Sequence, residues 1–196
     1  MDTRRGRGAA GYRFLPMPND RHILLLPGSL RAGSVNETVL RTAAAVALAT
    51  EGVATTYYTG LAGLPHFNPD LDTDPLPEPV VALREAVEAA DALLICAPEY
   101  AGALPGTFKN LLDWTVGGME IVDKPAAWIN AAGPGRGLGA EESLRTVLGY
   151  TGAAVVEAAC VRLPLARGDV GADGLVADPL VRDRIAEALV RLAAAV

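Results

Sequence analysis

The order of the apolar segments constrains the fold of this chain more than any other feature. Five short apolar runs, each typical of a strand, alternate with longer segments whose apolar residues recur every three or four positions, as in an amphipathic helix. The predicted strands cover residues 22–26, 53–58, 92–97, 126–131 and 153–161. The predicted helices cover residues 34–51, 80–90, 106–114, 140–150 and 180–195. This alternation predicts an α/β fold, a doubly wound five-stranded parallel sheet of order 2-1-3-4-5 with helices on both faces.

Length and composition are those of one globular domain. The chain has 196 residues, of which 51% are hydrophobic and 20% charged, enough for one well-buried core. No apolar run is long enough to cross a bilayer, and no secretory signal is recognisable, so we expect no membrane association. We expect residues 1–20 to form a flexible leader rich in Arg and Gly, and residues 21–196 to form a single domain.

The net charge limits the possible binding partners of the chain, and its cysteines indicate the cellular compartment. The formal net charge of −6 argues against general nucleic-acid binding, which needs a basic surface. Residues 1–21 hold five arginines and two aspartates, so the rest of the chain carries about −9. Cys96 and Cys160 both lie in apolar runs, which favours buried free thiols over a disulfide or a metal site. A cytoplasmic location follows.

Residues 28–36 connect the first predicted strand to the first predicted helix with small polar residues and one arginine. Backbone N–H groups at a helix N-terminus, together with the helix dipole, attract anions such as phosphate. Ser29 and Ser34 add hydroxyl donors to such a site. Asn36 adds an amide donor and Arg31 a charged fork. These features favour a phosphate site.

A plainer interpretation is that the same residues only begin a helix. Ser34 would accept a hydrogen bond from the N–H of Glu37 and Glu37 would reach back, as in a capping box, with Arg31 a solvated loop charge. The predicted helix would stop at Glu51, with Gly52 directly after its end. This segment alone leaves the phosphate site and the helix cap as alternatives.

Residues 98–106 follow the third predicted strand and form the second notable loop. Its small residues let the backbone approach a flat ligand closely, and Tyr100 offers a ring and a hydroxyl. Taken alone, the segment is equally consistent with an ordinary turn from a strand to a helix. In a sheet of order 2-1-3-4-5, ligands bind where the strand order reverses, beyond the ends of strands 1 and 3. The two loops together therefore predict a crevice for a phosphate-bearing heterocycle.

These loops, with the helix that follows the second one, resemble the NADPH-dependent FMN reductase family, which includes chromate and quinone reductases. The resemblance covers about residues 22–165 and implies a flavodoxin-like fold. The residues that carry it are Gly28, Ser29, Leu30, Arg31, Ser34, Asn36, Pro98, Glu99, Tyr100, Gly102, Pro105, Gly106, Lys109, Asn110, Asp113 and Trp114.

The resemblance implies an FMN site made of three loops. The residues matched to the phosphate loop are Ser29, Arg31, Ser34, Val35 and Asn36. The residues matched to the loop along the isoalloxazine ring are Pro98, Glu99, Tyr100, Ala101 and Gly102. The third loop, residues 132–139, would border the flavin with Gly133, Gly135 and Gly137.

Two positions depart from the family pattern. The family usually has Asn at position 101 and Ser at position 103, where this chain has Ala101 and Ala103. If the Asn amide contacts the ring, its loss costs about 1 kcal/mol of flavin affinity. The sequence therefore predicts firm anchoring of the phosphate and weaker recognition of the ring.

The function implied by the resemblance is an oxidoreductase in which FMN carries the chemistry. NADPH or NADH would supply a hydride, and a quinone, a flavin, an azo compound or a metal oxyanion would accept electrons in a ping-pong cycle. No catalytic side chain and no metal are expected. His22 begins a strand and has a structural interpretation, whereas His66 lies in a loop near the site.

Two other classes of protein remain as alternatives. A flavodoxin-type electron carrier would bind FMN without turning over NAD(P)H itself, and Arg31 disfavours it because that class uses a phosphate loop without arginine. A dinucleotide-binding domain is disfavoured because residues 28–36 lack the Gly-x-Gly-x-x-Gly pattern.

Family members form dimers or tetramers through the helix that follows the second loop. Apolar residues in and after this helix would supply that interface or, equally, belong to the core: Leu111, Leu112, Trp114, Val116 and Met119. We therefore expect a homodimer or homotetramer.

Overall fold

Strands and helices alternate along residues 20–196, the part of the chain that this computed structural model describes. The strands are β1 (Arg21–Pro27), β2 (Val53–Tyr57), β3 (Ala92–Cys96), β4 (Pro125–Asn130), β5 (Ala154–Val155) and β6 (Val161–Arg162). The helices are α1 (Val35–Ala47), α2 (Glu78–Glu88), α3 (Gly106–Asp113), α4 (Leu138–Thr151) and α5 (Pro179–Ala193). The flexible leader expected over residues 1–20 lies outside the described residues, apart from Asp20.

The sheet is parallel and has the predicted order, β2-β1-β3-β4-β5, which confirms the flavodoxin-like architecture. The prediction of one continuous fifth strand over residues 153–161 is wrong. A helical turn, Glu157–Ala159, separates β5 from β6, and both short strands pair with β4. Alanine and glutamate, which fill this turn, are depleted in strands, and the turn lets Ala159 enter the core.

Two apolar layers sandwich the sheet. Alternate residues of β1 point to opposite faces, with Leu24 on one face and Ile23 on the other. Helices α2, α3 and α4 pack on the first face, and α1 and α5 pack on the second. Both cysteines are free thiols. Burial raises the pKa of Cys96, and burial also raises the pKa of Cys160, to about 11.

Two expectations about the helices need correction. Helix α1 ends at Ala47 rather than Glu51, because the N–H groups of Ala49 and Thr50 donate to carbonyls three residues back, at 3.0 Å each, instead of four. Gly52 does have a positive φ of 75°, but it lies in the turn before β2. Leu111, Leu112 and Trp114 are fully buried core residues, which removes them from the expected interface. Across residues 20–196, no helix combines the length and apolarity that crossing a membrane requires.

The long segment between β2 and α2 is fastened to α3. The Asn110 side chain accepts from the N–H of Phe67 at 2.7 Å and donates to the carbonyl of Pro65 at 2.9 Å. The Trp114 indole donates to the same carbonyl at 2.8 Å, and its ring meets Phe67 edge to face. Further along, Arg84 pairs with Asp72 at 2.7 Å. These contacts give the segment one defined path across the end of the sheet.

Candidate active site

Neighbouring strands bring the first two loops together. Strands β1 and β3 are adjacent, and the N–H of Gly28 donates to the carbonyl of Cys96 at 2.9 Å. A Cβ on Gly28 would lie 2.3 Å from the Cβ of Ala97, so only glycine allows this approach. The two loops therefore leave the carboxyl edge of the sheet side by side, as predicted.

The first loop does cap helix α1. The Ser34 hydroxyl accepts from the N–H of Glu37 at 3.1 Å. Glu37 reaches back one residue further than a capping box requires, since its carboxylate accepts from the N–H of Gly33 at 2.9 Å and also holds Arg41. The helix-cap interpretation is thus correct, with Gly33 in place of Ser34 as the second donor.

Capping still leaves several donors in this loop. No residue between 20 and 196 accepts a hydrogen bond from the backbone N–H groups of Val35 and Asn36. Within the same range the Arg31 guanidinium also has no partner. The Ser29 hydroxyl accepts from the N–H of Arg31 at 3.2 Å and keeps its proton to donate. These unpaired donors suit a phosphate dianion on the end of α1.

A buried thiol orients the amide of Asn36. The Sγ of Cys96 donates to the Oδ1 of Asn36 at 3.3 Å. The amide oxygen of Asn36 is therefore the atom that faces Cys96, and the Nδ2 group remains available as a donor. Cys96 thereby supports the phosphate loop from β3.

The second loop is a tight turn. Tyr100 and Ala103 exchange backbone hydrogen bonds of 3.0 and 3.1 Å around the tip residues Ala101 and Gly102. The φ angles of the two tip residues are 51° and 76°, and turns with two positive φ values favour Asn-Gly. The Tyr100 side chain is 55% exposed, and Pro98 is half-buried. The loop thus presents an open aromatic surface.

The third loop bends around a residue that the sequence analysis missed, Asn130. Its amide donates to Glu141 at 2.6 Å and to the carbonyl of Arg136 at 3.3 Å, and its oxygen accepts from the N–H of Ala132 at 2.9 Å. A Cβ on Gly137 would lie 2.5 Å from the Asn130 amide. The sequence signal that could have identified Asn130 is its position as a lone polar residue at the end of an apolar strand.

The predicted glycines of the third loop differ in their surroundings. Gly137 is buried against Asn130 and has a positive φ of 79°, so its role is to shape the loop. Gly135 is exposed with a positive φ of 72°, and Gly133 is half-buried. Gly133 and Gly135 therefore remain the members of this group that can border a ligand.

The second and third loops are joined by Glu99. Its carboxylate accepts from the N–H of Gly139 at 2.8 Å and from the N–H of Ala140 at 3.3 Å, both at the start of α4. This contact spans 40 residues of sequence. Glu99 thus belongs to the site, but its observed contacts are with the protein backbone.

A cavity of about 1050 Å³ adjoins the phosphate loop on the outer flank of α1. Its lining includes Gly33, Arg41 and Tyr57, together with Arg167 and Asp173 from the segment before α5. Residues 98–102 and 133–137 do not line it. The second and third loops therefore lie outside this cavity.

The remaining family-like residues have structural contacts. Lys109 and Asp113 form an ion pair of 2.5 Å one turn apart on α3, while Asn110 and Trp114 hold the segment after β2. His66 is exposed in that segment. His22 lies at the opposite end of β1, where its ring contacts the carbonyl of Ala89 and the hydroxyl of Thr56. The structural interpretation of His22 is confirmed.

Comparison with known proteins agrees with this geometry. A sequence model of the NADPH-dependent FMN reductase family matches residues 21–167. The chain is 31% identical over 176 residues to an NAD(P)H-dependent FMN reductase of Pseudomonas aeruginosa, covering 88% of this chain and 94% of that protein. It is 37% identical over 123 residues to a probable NADPH:quinone oxidoreductase of Oryza sativa, covering 61% of this chain and 62% of that protein.

A solved structure extends the comparison to the fold. The flavoenzyme NAD(P)H:(acceptor) oxidoreductase of Paracoccus denitrificans superposes with a TM-score of 0.71 at 28% identity, covering 89% of this chain and 96% of that one. The donors at the start of α1 that have no acceptor among residues 20–196 are of the kind that binds a phosphate such as that of FMN, and the exposed Tyr100 is of the kind that packs on a flat ring. This chain therefore belongs to the NADPH-dependent FMN reductase family and is an FMN-dependent oxidoreductase that uses NAD(P)H.

Proposed function

We propose that the enzyme transfers electrons from NADPH or NADH to a quinone, with the FMN phosphate bound at the start of α1. The observation that supports this site most strongly is that the Arg31 guanidinium and the N–H groups of Val35 and Asn36 have no partner among residues 20–196. A dianion there would gain charge-assisted hydrogen bonds that the described chain does not itself supply. Ser29 and Ser34 complete the proposed phosphate site.

The ring of FMN would lie along the second and third loops. Tyr100 offers an exposed aromatic face beside the half-buried Pro98, and the tip residues Ala101 and Gly102 carry no bulky side chain. Gly133 and Gly135 would border the ring from the third loop. An open ring face allows a nicotinamide and an acceptor to occupy the same surface in turn.

When bound, FMN supplies the hydride and electron transfer, and the residues of the chain bind and orient it. Donor and acceptor would share one face, so we propose a ping-pong cycle in which oxidised nicotinamide leaves before the acceptor binds. Initial rates over a matrix of NADPH and quinone concentrations test this order. Parallel double-reciprocal lines are expected, whereas intersecting lines would exclude the order.

The proposed acceptor class is small oxidised molecules. The Oryza relative is described as a quinone oxidoreductase, which supports a quinone first, and free flavin, azo compounds and metal oxyanions are further candidates. A flavodoxin-type carrier would bind FMN but show no NAD(P)H oxidation with any of them. An acceptor screen with both nicotinamides therefore separates the two functions.

We also propose a homodimer or homotetramer with one domain over residues 21–196. Because Leu111, Leu112 and Trp114 are buried in the core, the proposed interface consists of Val116 and Met119, which are 61% and 76% exposed. A second copy that covers them would remove apolar area from water. Size-exclusion chromatography with light scattering gives the oligomeric state. The two free thiols support a location in the reducing cytoplasm.

A further inference from the structure

We propose that Glu99 is a positioning residue that fixes the ring-side loop of the flavin site by holding the N-terminus of α4. This inference rests on the proposed FMN site. The family resemblance places Glu99 in the loop along the isoalloxazine ring, and the structure shows its carboxylate engaged with the backbone of Gly139 and Ala140.

Helix α4 needs a cap from elsewhere. The residue at its N-cap position is Gly137, which has no side chain to accept a hydrogen bond from the first turn. The Glu99 carboxylate takes that role at 2.8 Å from the nitrogen of Gly139 and 3.3 Å from the nitrogen of Ala140. A negative charge is stabilised at this end of a helix, where the unpaired N–H groups carry partial positive charge.

A second contact fixes the other side of the loop. A Cβ on Gly139 would lie 2.2 Å from the carbonyl oxygen of Gly102, so the backbone of the loop rests directly on α4. Glu99 precedes Tyr100 and Gly102 follows Ala101, so these two contacts lie on either side of Tyr100 and Ala101 in the exposed part of the loop. The loop therefore meets α4 on both sides of Tyr100 and Ala101, and the position of the Tyr100 ring relative to Gly133 and Gly135 depends on these two contacts.

This geometry predicts a defect confined to the ring end of the site. Removing the Glu99 carboxylate should loosen this loop while leaving Arg31 and the start of α1 intact, because those lie in and after the separate loop between β1 and α1. FMN and riboflavin share the ring but differ in the phosphate. A ring-end defect should therefore weaken both ligands by the same factor.

The test compares Glu99→Ala, Glu99→Gln and the control Glu142→Ala, which removes an exposed carboxylate of α4 that forms no hydrogen bond or ion pair with residues 20–196. Dissociation constants for FMN and riboflavin are measured by quenching of flavin fluorescence, together with the visible spectrum of the bound flavin. We expect Glu99→Ala to weaken both flavins about tenfold, the scale of a lost charge-assisted hydrogen bond, and to shift the visible band. Glu99→Gln should restore most of the affinity, since its amide oxygen can accept from Gly139, and Glu142→Ala should match the wild type.

Unchanged affinity and spectrum in Glu99→Ala would overturn the proposal, as would weakening of FMN alone. If Glu99→Ala does not fold, Gly139→Ala tests the second contact, because its methyl group would push the carbonyl of Gly102 away. Equal weakening of both flavins supports the proposal, and wild-type binding contradicts it.

The result also distinguishes this inference from the function on which it rests. If the wild-type protein binds neither flavin, the proposed FMN site fails. The cap itself then remains measurable as the thermal unfolding midpoint of the apoprotein, which should be lower for Glu99→Ala than for Glu142→Ala. Equal midpoints would overturn the role of Glu99 as well.

Discussion

Arg31 is the residue on which binding of the FMN phosphate should depend most. Its guanidinium has no partner among residues 20–196, so its substitution removes no contact within that part of the fold. Arg31→Ala should weaken FMN about 10- to 100-fold, the equivalent of a lost charge-assisted hydrogen bond of about 1.5–3 kcal/mol, and leave riboflavin binding unchanged. Arg184→Ala, at an exposed position of α5, is the control.

The measurement is titration of the apoprotein with each flavin. A loss smaller than the gain from Ala101→Asn would contradict the expectation that the phosphate end dominates. Equal losses of FMN and riboflavin would show that Arg31 acts on the ring or on the fold.

Ala101 illustrates how the structure changes the meaning of a sequence difference. The family resemblance implies that the usual Asn at this position contacts the flavin ring. The φ of Ala101 is 51°, a left-handed conformation that costs most residues about 1–2 kcal/mol and that Asn adopts more readily. The backbone conformation of this turn therefore favours the family's usual Asn over Ala101, whether or not that Asn contacts the ring.

Ala101→Asn should accordingly raise the free energy of unfolding of the apoprotein by about 1 kcal/mol, because the strain at the tip is relieved. Urea unfolding without flavin measures this effect. Ala172→Asn, at an exposed turn position without positive φ, should give no such gain. Unchanged stability with tighter FMN binding would instead support a contact between Asn and the ring.

At the scale of elements, a polar network ties β4, α4 and β6 together. Glu141 accepts from Asn130 at 2.6 Å and pairs with Arg162 at 2.5 Å. Burial raises the pKa of Glu141, but hydrogen bonds from Arg162 and Asn130 outweigh it and hold the pKa below its ordinary value of 4.5. The folded state thus binds this proton less readily than the unfolded state does.

The sign of the resulting pH dependence follows from linkage. The stabilisation is present above the ordinary pKa of about 4.5 and is lost as the pH falls through the lower pKa of the folded protein. Urea unfolding at pH 7 and at acid pH should show a smaller loss of stability for Glu141→Gln than for the wild type. Glu142→Gln should behave as the wild type does, and an equal loss in all three proteins would contradict the role of Glu141.

The attachment of the segment after β2 to α3 is a second test at this scale. Asn110→Ala leaves the N–H of Phe67 without its acceptor, and an unsatisfied buried donor costs about 1–3 kcal/mol. The control Lys109→Ala, at the position just before Asn110, breaks a partly exposed ion pair with Asp113. It should lower the free energy of unfolding by less than about 1 kcal/mol. Urea unfolding compares the two, and hydrogen exchange at Phe67 reports the local loss. Equal stabilities with a protected Phe67 amide would contradict this assignment.

Elements were predictable to the extent that their pattern is local. Alternating apolar runs identified the first four strands and all five helices, since each depends on its own periodicity. The break between β5 and β6 was not predictable, because an apolar run of Ala and Val reads as one strand whether or not a turn interrupts it. Leu111 and Leu112 could not be assigned to core or surface before the packing of α3 was known.

At the scale of the whole molecule, the strand order brought the predicted loops to one edge. Gly28 and the Pro98–Gly102 region could be placed together from topology alone, because β1 and β3 had to be neighbours in a sheet of order 2-1-3-4-5. The contact between Glu99 and Gly139 could not, since a hydrogen bond across 40 residues leaves no local pattern. Asn130 did leave a local signal, a lone polar residue at the end of an apolar strand, but that signal does not identify Glu141 on α4 as its partner.

The central claim is that electron transfer depends on FMN held through its phosphate. The most direct test is NADPH oxidation with a quinone by protein stripped of flavin and then titrated with FMN or riboflavin. We predict that stripped protein is inactive and that FMN restores turnover at a concentration at least about tenfold lower than riboflavin does, the scale of one charge-assisted hydrogen bond. Undiminished turnover by the stripped protein, or restoration by both flavins at the same concentration, would contradict the account.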